Sequence, residues 1–286
     1  MTALLKRNLK LYFRDKINLL FSMFAVFIIL ALYMLFLGNV WGNTQIRALP
    51  EANVLMHNWL TAGKLAVATI TTSLGAFGVM IDDKTWKISK GFYASPVKRW
   101  QITSAYILNA FFVGAIMTTI TFIPLTLYSI WLGGAPLTVR GYLQIMGIIL
   151  LISFSNTAIV CFVATAVKTR NAFSTAASII GTLIGFLLGI YLPIGELPNG
   201  VQTAIKLFPP SHGAVLLRQT LMETPIERSF DGVPAQYLEG FQEMMGITYR
   251  LGDFEFTPLI SVAMLLASAV VFFGLTLLNM RKMKMQ

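Results

Sequence analysis

The sequence predicts an all-α polytopic membrane protein, on three observations. Residues of the AVILMFWYC set fill 56% of the 286 positions and charged residues only 12%. The mean hydropathy is +0.71, well outside the balance of a soluble globular domain. The apolar residues also gather into six runs of roughly the 20 residues that a helix needs to cross the hydrocarbon of a bilayer. These runs cover 17–40, 59–81, 102–132, 142–167, 172–192 and 258–280. A single transmembrane unit over 1–286 with six transmembrane helices follows.

Ahead of the first run stands "LLKRNLKLYFRDK". Leu5, Leu9, Tyr12 and Phe13 fall on one helical face while Lys6, Arg7, Lys10 and Arg14 occupy the remainder. Residues 1–16 are therefore expected to form an amphipathic interfacial helix whose basic face meets anionic lipid or a cytosolic partner. The first run is too long for a cleaved signal peptide and lacks a small-residue cleavage site, so it reads as a signal anchor.

Lysine and arginine set the orientation. Fifteen of the 22 lie in the N-terminal tail, in the 82–101 connection, in the turn at Lys168 and Arg170, and after the last run. The positive-inside rule places these segments, and both termini, in the cytoplasm of a cell whose plasma (inner) membrane the chain crosses. On the opposite side, 194–257 holds eight acids against four bases. The net charge of +10 is thus spread over loops, the mark of membrane topology rather than of nucleic-acid binding.

Several chemistries lack their residues. The runs contain no Asp, Glu or Arg, and Lys64 is their one charge. Coupling carboxylates of an ion-driven carrier and the arginine ladder of a voltage sensor are therefore missing. Lys64, near the start of its run, is expected to snorkel to the interface, with a substrate contact as the alternative. No TVGYG filter and no G-x-x-x-x-G-K-[ST] loop occurs, so any ATP must be held by another subunit. Cys161 is the one cysteine, and with it alone His57 and His212 cannot build a zinc site of the usual kind. Both histidines read as interfacial or loop residues, and no catalytic or metal residues are assigned.

In the fourth run "SFSNT", from Ser153 to Thr157, serves either as interhelical hydrogen-bonding glue or as part of a path. In the fifth, Gly181, Gly185 and Gly189 recur every four residues. That spacing is expected to form one helical face that admits a close neighbour, within the chain or across a dimer.

Two further segments carry a family resemblance. The connection from Asp82 to Trp100, "DDKTWKISKGFYASPVKRW", opens on acids, passes aromatic residues and closes on "ASPVKR". The segment "PIGELPNGVQTAIKLFPPSHGAVLLRQTL" begins at Pro193, with Leu197 and Pro198, then Pro209, then Leu217 and Arg218. Together with the span count and the N-terminal helix, these resemble the permease subunits of type-2 ABC transporters, also called type V ABC exporters. In the first segment Thr85, Lys87 and Ile88 stand in place of the family's second glutamate and Gly-Thr pair.

The resemblance implies a cytoplasmic coupling helix in 82–101 that docks on an ABC ATPase subunit. Asp83, Phe92, Tyr93, Pro96, Val97 and Arg99 are the carried positions, and Trp86 joins Phe92 and Tyr93 as an aromatic anchor. It implies short re-entrant helices within 194–257, with Pro193, Leu197, Pro198, Pro209 and Arg218 as their carried positions. Residues 222–256 read as an insertion, either an outer lid or partner surface or a passive loop. Such permeases pair as homo- or heterodimers on an ATPase dimer that holds ATP and Mg, and bind no cofactor themselves. The expected function is ATP-driven export, as in drug or antibiotic resistance. The substrate expected from the Phe- and Met-rich spans is an amphipathic or hydrophobic drug, antibiotic, peptide or lipid. An ion-coupled or passive carrier, and an exporter of a lipid-linked polysaccharide or wall precursor, are the alternatives.

Overall fold

The computed structural model describes residues 1–17, 19, 49–167 and 169–282, the side chains of Tyr93 and of 280–282 excepted. The first expected span, 17–40, therefore lies almost wholly outside the described residues.

The described chain is helical apart from one small hairpin. In order come α1 (Thr2–Arg14), α2 (Ala52–Thr85), α3 (Ile88–Ala94), α4 (Arg99–Trp131), α5 (Val139–Ala166) and α6 (Arg170–Leu187). There follow α7 (Asn199–Leu207), α8 (Pro209–Ser229), α9 (Ala235–Met244), strands β1 (Tyr249–Leu251) and β2 (Phe254–Phe256), and α10 (Pro258–Lys282). Four of these helices, α2, α4, α5 and α10, are long and apolar enough to cross a membrane. They coincide with the second, third, fourth and sixth expected runs.

The helix α2 lies at the centre, packed against α1, α4, α5, α6 and α8. Every residue from Val54 to Ala66 on it is buried, the all-round burial of an inner helix. Two of its buried polar side chains, His57 and Asn58, reach backbone carbonyls of its neighbours. His57 Nε2 donates to Leu125 O at 2.8 Å, Asn58 Nδ2 donates to Leu221 O at 2.8 Å, and Ser129 Oγ donates to Asn58 Oδ1 at 2.8 Å. His57 is thus a core residue rather than an interfacial one. His212 is likewise buried, bonded through Nε2 to Lys206 O at 2.9 Å.

Lys64 departs from the expected snorkelling position. The helix begins at Ala52, seven residues before the apolar run, which places Lys64 twelve residues into α2. It is 1% exposed, and its Nζ has no hydrogen-bond partner among the described residues.

The polar residues of the fourth run act as glue where they are paired. Asn156 Nδ2 donates to Thr69 Oγ1 at 2.6 Å, joining α5 to α2, and Ser155 and Ser268 share a hydrogen bond of 2.7 Å that joins α5 to α10. Gly114 lets α4 into this junction, since a Cβ there would come within 3.1 Å of Ser73 Oγ.

The fifth run forms a shorter helix than expected. α6 has 18 residues, about 27 Å at 1.5 Å per residue, and the chain turns after Leu187. Gly189 takes φ +62° in that turn, a left-handed value that favours glycine at helix ends. It therefore leaves the helical face of Gly181 and Gly185. A Cβ at Gly181 would meet nothing within 4 Å, whereas one at Gly185 would strike Tyr191. The expected face of three glycines is replaced by one open glycine, one packed glycine and one turn glycine.

Candidate functional site

Two ends of the bundle collect the residues singled out above. At the first, α2 finishes in Asp82, Asp83, Lys84 and Thr85. Carboxylates are disfavoured at a helix C-terminus, where the dipole is negative, unless cations answer them. Asp82 is met by Arg170 at the start of α6, 3.1 Å away and partly exposed. Asp83 is 2% exposed and is met from α1: Arg7 Nη1 donates to Oδ2 at 2.5 Å and Arg7 Nη2 to Oδ1 at 2.7 Å. Tyr106 on α4 donates its hydroxyl to Asp83 Oδ2 at 2.6 Å.

This bidentate pair with a third donor is a strong arrangement. The hydrogen bond that Arg7 donates to the Asp83 carboxylate raises the Arg7 pKa above its ordinary value, against the opposing cost of partial burial. The guanidinium also lies 5.2 Å from the centre of the Phe92 ring, a cation–π contact to α3. Arg7 thus ties α1 to α2, α3 and, through Asp83, α4. The α1 face that packs inward is centred on Asn8 and Tyr12, both buried, with Leu4, Leu9 and Phe13 beside them. Arg7, placed by the sequence on the basic outer face, turns inward.

The corner from α2 to α4 follows from three local choices. Lys87 adopts φ +62° between α2 and α3. Pro96 restricts the residue before it, and Ser95 is extended with ψ 162° while its Oγ closes α3 by donating to Phe92 O at 2.6 Å. Lys98 N then donates to Gln101 Oε1 at 3.2 Å, opening α4 at Arg99.

The coupling residues expected from the sequence divide into two groups here. Asp83 is buried, and Phe92 and Val97 pack on the core, so these three hold the corner together. Trp86, at 69% exposure, and Pro96 and Arg99 are on its surface. The side chain of Tyr93 lies outside the described residues. Sequence reasoning missed Arg7 and Tyr106 as partners of Asp83, and Trp100, which is 59% exposed beside Arg99. A tryptophan facing outward in an otherwise basic turn was the available signal for the last.

At the other end, Arg218 of α8 is fully buried. Its Nη2 donates to Leu188 O at 2.9 Å and Gly189 O at 3.0 Å, and Nη1 to Gly246 O at 3.2 Å. These carbonyls sit at the C-terminal ends of α6 and α9, where helix dipoles favour a cation. The guanidinium also stacks 4.9 Å from the centre of the Trp59 ring, and Trp59 Nε1 donates to Met245 O at 2.7 Å. Pro198 and Pro209 stand at the starts of α7 and α8, where a missing N–H costs nothing. Pro193 precedes a one-turn helix, Ile194–Glu196, that ends at Leu197. The second helix of the expected short pair, α8, is 21 residues long and largely buried. Residues 222–256, a lid or loop in the sequence reading, are the end of α8, α9 and the hairpin. The hairpin turns on Gly252 at φ +60° and Asp253, and Trp59 and Arg218 fasten the turn after α9 to the bundle.

No group of three His, Cys, Asp or Glu side chains among the described residues is placed to hold a metal. Comparison with protein families is decisive: the family described as "ABC-2 family transporter protein" matches residues 43–278. The chain belongs to that family. No curated protein matches it. As an ABC-2 family member it is a multi-pass membrane permease subunit of the ABC type. The match takes in the corner and the Arg218 junction but begins after α1, so the Arg7 contact joins an element outside the match to Asp83 within it.

Proposed function

We propose that the protein is the permease subunit of an ATP-driven exporter. It would dock on a separate cytosolic ABC ATPase through the α2–α3–α4 corner and pair with a second permease subunit. The observation that carries this reading is the pinned corner. Arg7, Asp83, Tyr106 and Phe92 link four helices at one end of the bundle, so a push on α3 is delivered to α1, α2 and α4 together. The exposed Trp86 and Trp100 supply aromatic anchors for a groove on the partner, and the lysines and arginines around them supply steering.

The topology that serves this role has six spans, with the corner and both termini cytoplasmic and 194–257 outside. Substrate would be amphipathic or hydrophobic and would leave between two permease subunits, with ATP and Mg held by the ATPase. Purification from the native membrane in mild detergent is the test. A P-loop ATPase should accompany the wild type in stoichiometric amount and be lost when Trp86 and Trp100 are both changed to alanine. A folded wild-type protein that repeatedly carries no ATPase, yet transports, would favour a passive or ion-coupled carrier instead.

A further inference from the structure

Away from the corner, a groove of about 810 Å³ runs between α5, α8, α9 and the start of α10. Its volume falls within the range of sites for small organic molecules, roughly 300–1,000 Å³. The floor is apolar, built from Ile148 and Leu151 of α5, Leu216 of α8 and Val262 of α10. Gly147 leaves room in it, since a Cβ there would meet nothing within 4 Å.

Charge in the groove has one sign. Glu223 and Glu227 line it, four residues apart on α8 and hence on one helix face. Neither lysine nor arginine appears among the described residues that line it. Nearby acids are answered by cations, Glu51 by Arg228 and both Glu243 and Glu255 by Arg250. Glu223 and Glu227 form no ion pair among the described residues. Thr220, Gln144 and Gln242 add neutral polar groups to the lining.

We propose that this groove binds cationic amphiphiles, with the apolar body against Ile148, Leu151 and Leu216 and the cationic head between Glu223 and Glu227. A phospholipid fits less well, because its phosphate would face two carboxylates with no cation in the lining to answer it. A single positive charge on an apolar body satisfies both halves of the groove. The site goes beyond the permease reading and does not depend on it, for it needs neither ATPase nor nucleotide.

The test uses the full-length protein in nanodiscs, with labelled tetraphenylphosphonium and tetraphenylborate as probes. These ions are nearly equal in size and apolarity and opposite in charge, and uptake by protein-free nanodiscs is subtracted. Phosphonium should bind at least about tenfold more tightly than borate, the ratio that 1.4 kcal/mol of charge preference gives. The E223Q/E227Q double variant should lose that preference. G147F, which fills the floor without touching the charges, should abolish phosphonium binding while melting as the wild type does. E239Q, an exposed α9 acid outside the groove, should bind as the wild type. Phosphonium affinity within twofold of the wild type in E223Q/E227Q or in G147F, or equal binding of both ions, overturns the proposal. Absence of ATPase from the purified wild type with phosphonium binding intact would reject the proposed ATPase docking alone.

Discussion

Arg7 and Asp83, 76 residues apart, face each other through two hydrogen bonds of 2.5 and 2.7 Å. With the Asp83 side chain 4% exposed, removing the cation leaves a buried charge that still accepts a hydrogen bond from the Tyr106 hydroxyl. Arg7→Ala should therefore destabilise the protein by about 3 kcal/mol, the low end for breaking a buried pair. The R7A/D83A double variant should lose less than the sum of the two single variants. Thermal melting of the detergent-solubilised protein, arranged as a double-mutant cycle, reads both. Additive losses would mean that the pair is not coupled.

Trp86 and Trp100 make the opposite case. Both side chains are largely exposed on the protein surface, so alanine at either should shift melting by no more than about 0.5 kcal/mol. Either change should weaken capture of the ATPase at least about tenfold, as loss of an aromatic anchor does. Arg7→Ala and Trp86→Ala thus separate fold from docking, and a Trp86 variant that melts early would remove that distinction.

The glycines of the fifth run divide in the same manner. Gly181→Ala places a Cβ in open space within a helix and should stabilise by up to about 1 kcal/mol. Gly189→Ala forces a side chain to φ +62° and within 2.9 Å of Ile194, so a loss of about 1–3 kcal/mol is expected. If Gly181 instead sits against a second copy, size-exclusion chromatography with light scattering will show Gly181→Leu as a weakened dimer.

Lys87 holds a left-handed backbone without being glycine. Lys87→Gly relieves that conformation and should leave stability unchanged or raise it by up to about 1 kcal/mol. Lys87→Val, β-branched at the same φ, should lower it by at least as much. Melting temperatures of the two variants, compared with the wild type, settle the ordering.

How far the sequence foretold this structure depends on the kind of signal. Four spans are written in apolar runs that burial in lipid requires, and each appears as a long helix. Lys64 was misplaced because hydropathy dates the helix from Trp59, whereas Asn58 and His57 continue it outward. Their polar groups cost the hydropathy signal but not the helix, because Leu125 and Leu221 supply carbonyls. Basic residues of α1 look alike in one dimension, and what turned Arg7 inward was an acid on another helix. Arg218 was legible as a marked position, yet its partners are backbone carbonyls, which no side-chain pattern encodes. The open volume beside Glu223 and Glu227 arises from the separation of four elements and has no sequence signature.

The Arg218 junction also bears on the timing of synthesis. Its guanidinium needs the carbonyl of Gly246, and Trp59 needs that of Met245, 186 residues further along the chain. While a ribosome has yet to deliver that turn, α8 carries a cation and α2 an indole whose burial is incompletely compensated. Final closure of this end of the bundle must therefore wait until α9 has emerged.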